Sequence, residues 1–426
     1  MKGKRNWIVG FLMVMVFVVS ITFVLKATAA DTVRIGMLLP FTGPLAEEGR
    51  QTWEGYVVAA DMVNDRGGLW GKKIEFVKGD SATNESAISE MERLITKEGL
   101  DLIAGGYSSS RAYAASVINE KYKKVYWIST SGAENITTRG FKYLFRYNAP
   151  TNVYAKILVD FARDKVAPAL GKKPEDLRLA IIHEDSLWGT SVSGSQAEAI
   201  SKLGLKLVLK ESYSNRTLDQ SPLIMKLRAA QPDVIFPTGY VNDTHLFWRQ
   251  CKELDFNFSI LLESGSTIGH PEWLKAFGKD VNGTVTLALQ PVSPGLLSPK
   301  GVEIQKECLK RFAEKFKAPN PGNLQLLAFE PAYILFSEVL PMAGSLDPEK
   351  VREAVLKVNR SWKDSVTGIG CRYAPPGHPM AGQNLEATQI VNQWQNEKLV
   401  ALYPDRLAAG KLQIPMPTWE QRKKTN

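Results

Sequence analysis

Two clusters of small hydroxyl residues carry the most suggestive chemistry in the chain. Ser108-Ser109-Ser110 follows the apolar run Leu102-Ile103-Ala104, and Ser129-Thr130-Ser131 follows Val125-Tyr126-Trp127-Ile128. Between them Ala114, Val117 and Ile118 recur at helical spacing. The stretch therefore reads strand, turn, helix, strand, the repeating unit of a parallel sheet. In an open parallel sheet, ligands sit outside the carboxyl ends of the strands. A helix begins there, and its free N–H groups attract an anion. Serines at such a place add hydroxyl donors and little bulk, so a small carboxylate or another polar headgroup is expected here. A serine triplet is also an ordinary helix cap, and Ser131 an ordinary turn residue. Placement after two neighbouring strands favours the ligand.

Catalytic machinery is not legible. The chain holds no GxSxG elbow, no HExxH and no GxxxxGK[ST]. Gly67-Gly68-Leu69-Trp70-Gly71-Lys72-Lys73 is glycine-rich but lacks the spacing and hydroxyl of a phosphate-binding loop. No two carboxylates stand as an acid and base pair. The chain reads as a binding protein rather than an enzyme, with no cofactor and no metal. Cys251, Cys308 and Cys371 are odd in number, and their spacing suits neither zinc nor a redox pair. One disulfide or three buried thiols would fit.

The elements that must position the serines recur along the chain. Val33–Leu39 and Ile74–Val77 read as strands, and 49–64 and 84–97 as amphipathic helices. The rhythm pauses at Tyr147 to Thr151, then resumes with strands at Leu179–Ile182, Lys206–Leu209, Val234–Phe236 and Ile260–Leu262. A second pause falls at Asp280-Val281-Asn282-Gly283, before helical patterns from Gly301 to Val358. Two βα series of one architecture point to an α/β protein of two doubly wound parallel-sheet lobes. The 426 residues are ample for two such lobes. Met1 to Ala30 looks like a secretory leader: Lys2, Lys4 and Arg5 precede an apolar run and a small-residue site. The run is long for a signal core, so an uncleaved anchor is the alternative. No later stretch is expected to span a membrane. Setting aside the four leader cations lowers the net charge from +9 to +5. No dense basic run lies near stacking aromatics, so nucleic acid is not an expected partner.

At this point the residues resemble a family: periplasmic substrate-binding proteins of ABC importers, of the branched-chain amino-acid (Leu/Ile/Val) type. The likeness rests on Arg34-Ile35-Gly36 through Thr42-Gly43-Pro44, Asn64 to Gly68 with Gly71 to Ile74, Ser108 to Ser110, Thr138-Arg139-Gly140 and Gly239-Tyr240. Their order and spacing carry it over nearly all of the mature chain. The resemblance implies the type I fold, with three hinge crossings between lobes. The expected division is residues 31–148 plus 284–372 for lobe I and 149–283 plus 373–426 for lobe II, the third crossing falling between Gly370 and Leu385. It implies a monomer in the periplasm that closes on a small amino acid, amide or organic acid and delivers it to an ABC permease. A ligand-sensing receptor module of the same fold is the alternative.

Carried over residue by residue, the resemblance places Ser108 at the ligand carboxylate and Ser131 at the ammonium. Ala133 falls where a threonine normally helps both, keeping its N–H and losing the hydroxyl. Tyr240 and Trp188 close from the second lobe. Glu263 falls where an acid pairs with the ammonium, with Ser264 in its place if the register slips by one. Glu48 stands where a tyrosine is common, and Tyr107 extends the aromatic wall. Thr83 and Tyr107 occupy the places of a disulfide found in some members, which is therefore absent. An amino acid in a closed cleft needs both charged groups satisfied. With Ala133 present the ammonium rests on Glu263 and backbone, so the branched-chain label is a family default.

Overall fold

The computed structural model describes residues 32–265 and 267–424. The expected leader lies outside the described residues. The first lobe runs β1 (Thr32–Leu39), α1 (Ala46–Asn64), β2 (Lys73–Asp80), α2 (Asn84–Thr96), β3 (Leu102–Gly105), α3 (Ser109–Lys121), β4 (Val125–Ile128) and β5 (Leu144–Arg146). Its five strands are parallel, in the order β2-β1-β3-β4-β5. Every residue of β3 and β4 is buried. Helices cover both faces of such a sheet, which is why these strands read as unbroken apolar runs rather than alternating ones.

The second lobe opens with α4 (Thr151–Phe161). It continues through β6 (Arg178–Glu184), α5 (Leu187–Lys202), β7 (Lys206–Tyr213), α6 (Ser221–Ala230), β8 (Val234–Thr238), α7 (Val241–Glu253), β9 (Ile260–Glu263), α8 (Pro271–Phe277) and β10 (Val285–Leu287). The strands lie in the order β7-β6-β8-β9-β10, so both sheets repeat one winding. In each, the strand order reverses beside the first strand, and that switch point opens a crevice at the carboxyl ends.

The chain then returns to the first lobe. Helices α9 (Pro299–Phe316), α10 (Asn323–Ile334) and α11 (Pro348–Val355) follow, with a ribbon of β11 (Asn359–Arg360) and β12 (Cys371–Arg372). Helix α10 lies against α1: a Cβ at Gly55 would stand 2.4 Å from the Gln325 carbonyl oxygen. Trp127 Nε1 of β4 donates to the Pro331 carbonyl at 3.2 Å. The helical run Asn323–Ala343 is long and apolar enough to cross a membrane, contrary to the expectation of no such stretch beyond Ala30. It is apolar because it is a core helix, with 72% of that segment buried in the protein.

Two expected boundaries move. Residues 280–283 do not form the second crossing. They turn into β10, which is buried, pairs with β9 and stays in the second sheet. The change of lobe comes after Leu287. The third change also comes later than residue 373. Arg146 N–H donates to the Gly382 carbonyl, and Asn384 N–H to the Arg146 carbonyl, both at 2.9 Å. These bonds hold 382–384 on the edge of β5. Only with β13 (Val391–Gln395) and β14 (Lys398–Tyr403) does the chain join the second sheet, antiparallel to β10. The last helix is α12 (Trp419–Lys424). All three cysteines are free, buried thiols.

Candidate functional site

Ser108 stands past the end of β3, Ser131 past β4, Trp188 past β6 and Tyr240 past β8. The carboxyl ends of the two sheets face each other, and these four residues line one cavity between them. Tyr107, Ser109 and Thr130 join them from the first sheet, Tyr154 and Gly265 from the second lobe, and Asn323, Leu324 and Leu327 from α10. The free space inside is about 20 Å³, room for about one water molecule. The lobes are drawn together across it. Leu187 N–H of the second lobe donates to Ser110 Oγ of the first at 3.3 Å. Glu134 N–H of the first lobe donates to Ser191 Oγ of the second at 3.4 Å. The Trp188 ring fills the space over Gly132, where a Cβ would stand 2.6 Å from its Cζ3. Trp188 also meets Tyr154 edge to face at 5.4 Å between centroids, and Tyr107 meets Tyr240 in the same way at 6.3 Å.

The hydroxyls differ in where their protons go. Ser108 is the N-cap residue of α3 yet makes no side-chain cap hydrogen bond, so the ordinary capping role does not account for it. Its oxygen instead accepts from Arg111 Nη1 at 3.3 Å. Ser109 Oγ accepts from the backbone N–H groups of Gly132 and Ala133 at 3.3 and 3.2 Å. Ser131 Oγ and Thr130 Oγ1 both donate to the Gly106 carbonyl, at 2.7 and 3.0 Å. Ser108 also pairs with the Tyr240 hydroxyl across the seam, while Thr130 and Ser131 have given their protons and keep lone pairs that can accept.

Three residues expected at the site do not line the cavity. Ala133 is held on both sides: its N–H by Ser109, and its carbonyl by the guanidinium of Arg146. Arg146 is fully buried, and desolvation pulls its pKa down to about 9. Glu263 accepts from Thr267 N–H at 3.1 Å and from the Thr286 hydroxyl. It stands behind the cavity wall, and Gly265 takes the lining position. Ser264, the alternative register, accepts from Gln196 Nε2 at 3.3 Å and from the Thr238 hydroxyl at 3.0 Å. Neither register brings its side chain to the cavity.

Glu48 lies at the seam instead. It is 1% exposed on α1, and its carboxyl faces the N–H of Val241, the first residue of α7, at 3.5 Å. A helix N-terminus attracts a carboxylate, but burial outweighs this and pushes the Glu48 pKa up to about 7. A raised carboxyl value stabilises the joined lobes fully below the ordinary 4.5, and that contribution is lost as pH rises through 7. The shift corresponds to something on the order of 3 kcal/mol. Melting temperature should therefore fall between pH 4.5 and about pH 7 in the wild type and level off above that. Glu48→Gln, which cannot ionise, should flatten that fall; equal slopes in the two proteins would show that Glu48 is not responsible.

Sequence reasoning missed Ser109, Thr130, Tyr154, Gly265, Asn323, Leu324, Leu327 and the neighbouring Arg111. Ser109 and Thr130 carried a signal, since each sits inside a hydroxyl cluster already singled out.

A family model described as "Periplasmic binding protein" matches residues 32–395. Among curated proteins, the chain is 31% identical over 398 residues to the "Leu/Ile/Val-binding protein homolog 7" of Brucella abortus (strain 2308), covering 91% of this chain and 96% of that one. It is 33% identical over 397 residues to homolog 8 of the same organism, covering 92% and 95%. Among solved structures, the leucine binding protein LivK from Thermotoga maritima aligns with a TM-score of 0.72 at 22% identity, over 87% of this chain and 97% of that one. The branched-chain amino acid transporter substrate binding protein LivJ from Streptococcus pneumoniae, solved with isoleucine, aligns at 0.71 and 18%, over 86% and 97%. Fold, winding and sequence agree, and the chain belongs to the periplasmic binding proteins.

Proposed function

We propose that this protein is the extracytoplasmic solute-binding component of an ABC importer. It takes up a branched-chain or other hydrophobic amino acid, or a related small amide or carboxylate. Its lobes hinge shut over that solute and present it to a membrane permease. The observation that supports this most is a cavity lined from both lobes, with Ser108 and Ser131 on one side and Trp188 and Tyr240 on the other. Parting the lobes admits the solute to the hydroxyl side; closing lays two aromatic rings over it, a known mode of domain movement. The names of the Brucella relatives support the solute class.

A thermal-shift screen of hydrophobic amino acids, amides and small acids tests the proposal. A solute that fits should raise the melting temperature by mass action; no shift from any of the three classes would count against it. With that solute, Ser108→Ala should cost about 1–3 kcal/mol of binding if the hydroxyl meets a charged group. Its melting temperature without solute should stay at the wild-type value. Unchanged affinity in calorimetry would remove Ser108 from the site.

A further inference from the structure

A second cavity lies on the first lobe and shares no residue with the cleft. Its free space is about 460 Å³, within the range of small-molecule sites. Three stretches wall it. Thr138, Gly140, Phe141 and Lys142 lead into β5, which adds Phe145. Arg352 and Leu356 come from the C-terminal end of α11. The loop 374–382 closes it with Pro376, His378 and Pro379. That loop is held on the edge of β5 by the bond from Arg146 N–H to the Gly382 carbonyl. Thr138-Arg139-Gly140, which carried part of the family likeness, takes no part in the cleft cavity.

The lining combines apolar surface with cations and holds no carboxylate. Phe145 is buried and Phe141 half-buried. Lys142 is exposed, and its ammonium makes no ion pair among the described residues. Arg352 is half-buried and gives Nη1 to Glu349 at 2.9 Å. Its other guanidinium nitrogens have no protein partner among the described residues. Arg139 stacks on the Phe141 ring, its Cζ 4.3 Å from the centroid, and adds a third cation. His378 Nδ1 accepts from Met380 N–H at 3.1 Å, so the neutral ring carries its proton on Nε2. The neighbouring acids are occupied. Glu120 accepts from the backbone N–H groups of Lys142 and Tyr143 at 2.9 and 3.1 Å, and Glu349 from the Tyr143 hydroxyl and Arg352.

We infer that this cavity is a second binding site, for a small aromatic monocarboxylate, and that Lys142, Arg352 and His378 hold its charged end. A flat ring packs on phenylalanine and proline surfaces. A carboxylate meets a guanidinium through two parallel hydrogen bonds. A cation would meet like charge from Lys142 and Arg352, with no carboxylate in the lining to offset it. An uncharged molecule would leave the same cations without a partner. The cleft need not be occupied for this site to fill.

Calorimetry with 2-naphthoate, and with 2-naphthamide as its uncharged counterpart, tests the inference. Naphthoate should bind one per chain, about tenfold or more tightly than the amide. Lys142→Glu, at an exposed position, should weaken naphthoate about tenfold or more, the scale of a lost hydrogen bond to a charged group. Arg352→Gln should do the same. Both variants should change the amide less than about threefold and melt near the wild-type temperature. Ser108→Ala should bind naphthoate as the wild type does, which separates this site from the cleft. Added naphthoate should slow hydrogen exchange in 138–142 and 374–382, and not in 107–111. No binding at millimolar naphthoate, equal binding of the amide, or an affinity untouched by both substitutions would overturn the inference. So would loss of naphthoate binding in Ser108→Ala.

Discussion

Gly132→Leu should leave both lobes folded and prevent the cleft from closing on its solute. Gly132 lies in the loop after β4, and its φ is not in the left-handed region, so the backbone accepts a side chain. The obstacle is across the seam. A Cβ there would stand 2.6 Å from Trp188 Cζ3 and 3.4 Å from the Ala149 carbonyl oxygen. Leucine adds three further carbons in the same direction. Overpacking a filled site costs about 1–3 kcal/mol, occasionally more. Here the strain is avoided if the lobes stay apart, so it is felt as lost affinity. The expected loss is about 100-fold or more, equivalent to about 2.7 kcal/mol. Circular dichroism should match the wild type, and calorimetry should report the loss. Wild-type affinity would mean that Trp188 can leave Gly132 without cost and does not cover the solute.

Gly55→Val should be the more damaging substitution for the fold. Gly55 is where α1 and α10 touch, with backbone against backbone. A Cβ would meet the Gln325 carbonyl oxygen at 2.4 Å, the Phe329 nitrogen at 2.7 Å and the Ala328 Cβ at 2.8 Å. Two of those atoms belong to a helix backbone, so no side chain can swing aside. The α1–α10 pair must separate, which also breaks the bond of 2.6 Å from Gln325 Nε2 to Glu54 Oε2. Removing glycine from a helix returns at most about 1 kcal/mol. Forcing the helices apart costs about 3 kcal/mol, so a net loss of about 2 kcal/mol or more is expected in urea unfolding. Affinity should fall as well, because α10 carries Leu324 and Leu327 to the cavity. Unchanged stability would show that the contact between the two helices is soft.

The parallel sheets were readable because their strands are buried on both faces and so stand out as short apolar runs. Ser108, Ser131, Trp188 and Tyr240 were readable for a related reason: each follows such a run, and strand ends in this winding converge on one crevice. Leu324 and Leu327 were not. Every residue of α10 is buried, and a helix buried all round does not mark which face borders a cavity. Arg111 looked like any arginine in the first turn of a helix. Its bond to the Ser108 oxygen depends on Ser108 declining the capping role, which only coordinates reveal. Glu263 misled because Thr286, which occupies its carboxyl group, lies on β10, a strand the turn at 280–283 disguised as a crossing.

The central claim is that two lobes close over one small molecule held between Ser108 and Trp188. Small-angle scattering of the wild-type protein, free and saturated with the solute found by thermal shift, tests it most directly. Binding should lower the radius of gyration, and Gly132→Leu should not show that decrease at the same solute concentration. A solute that binds one per chain while the radius of gyration of the wild type stays constant would contradict the account.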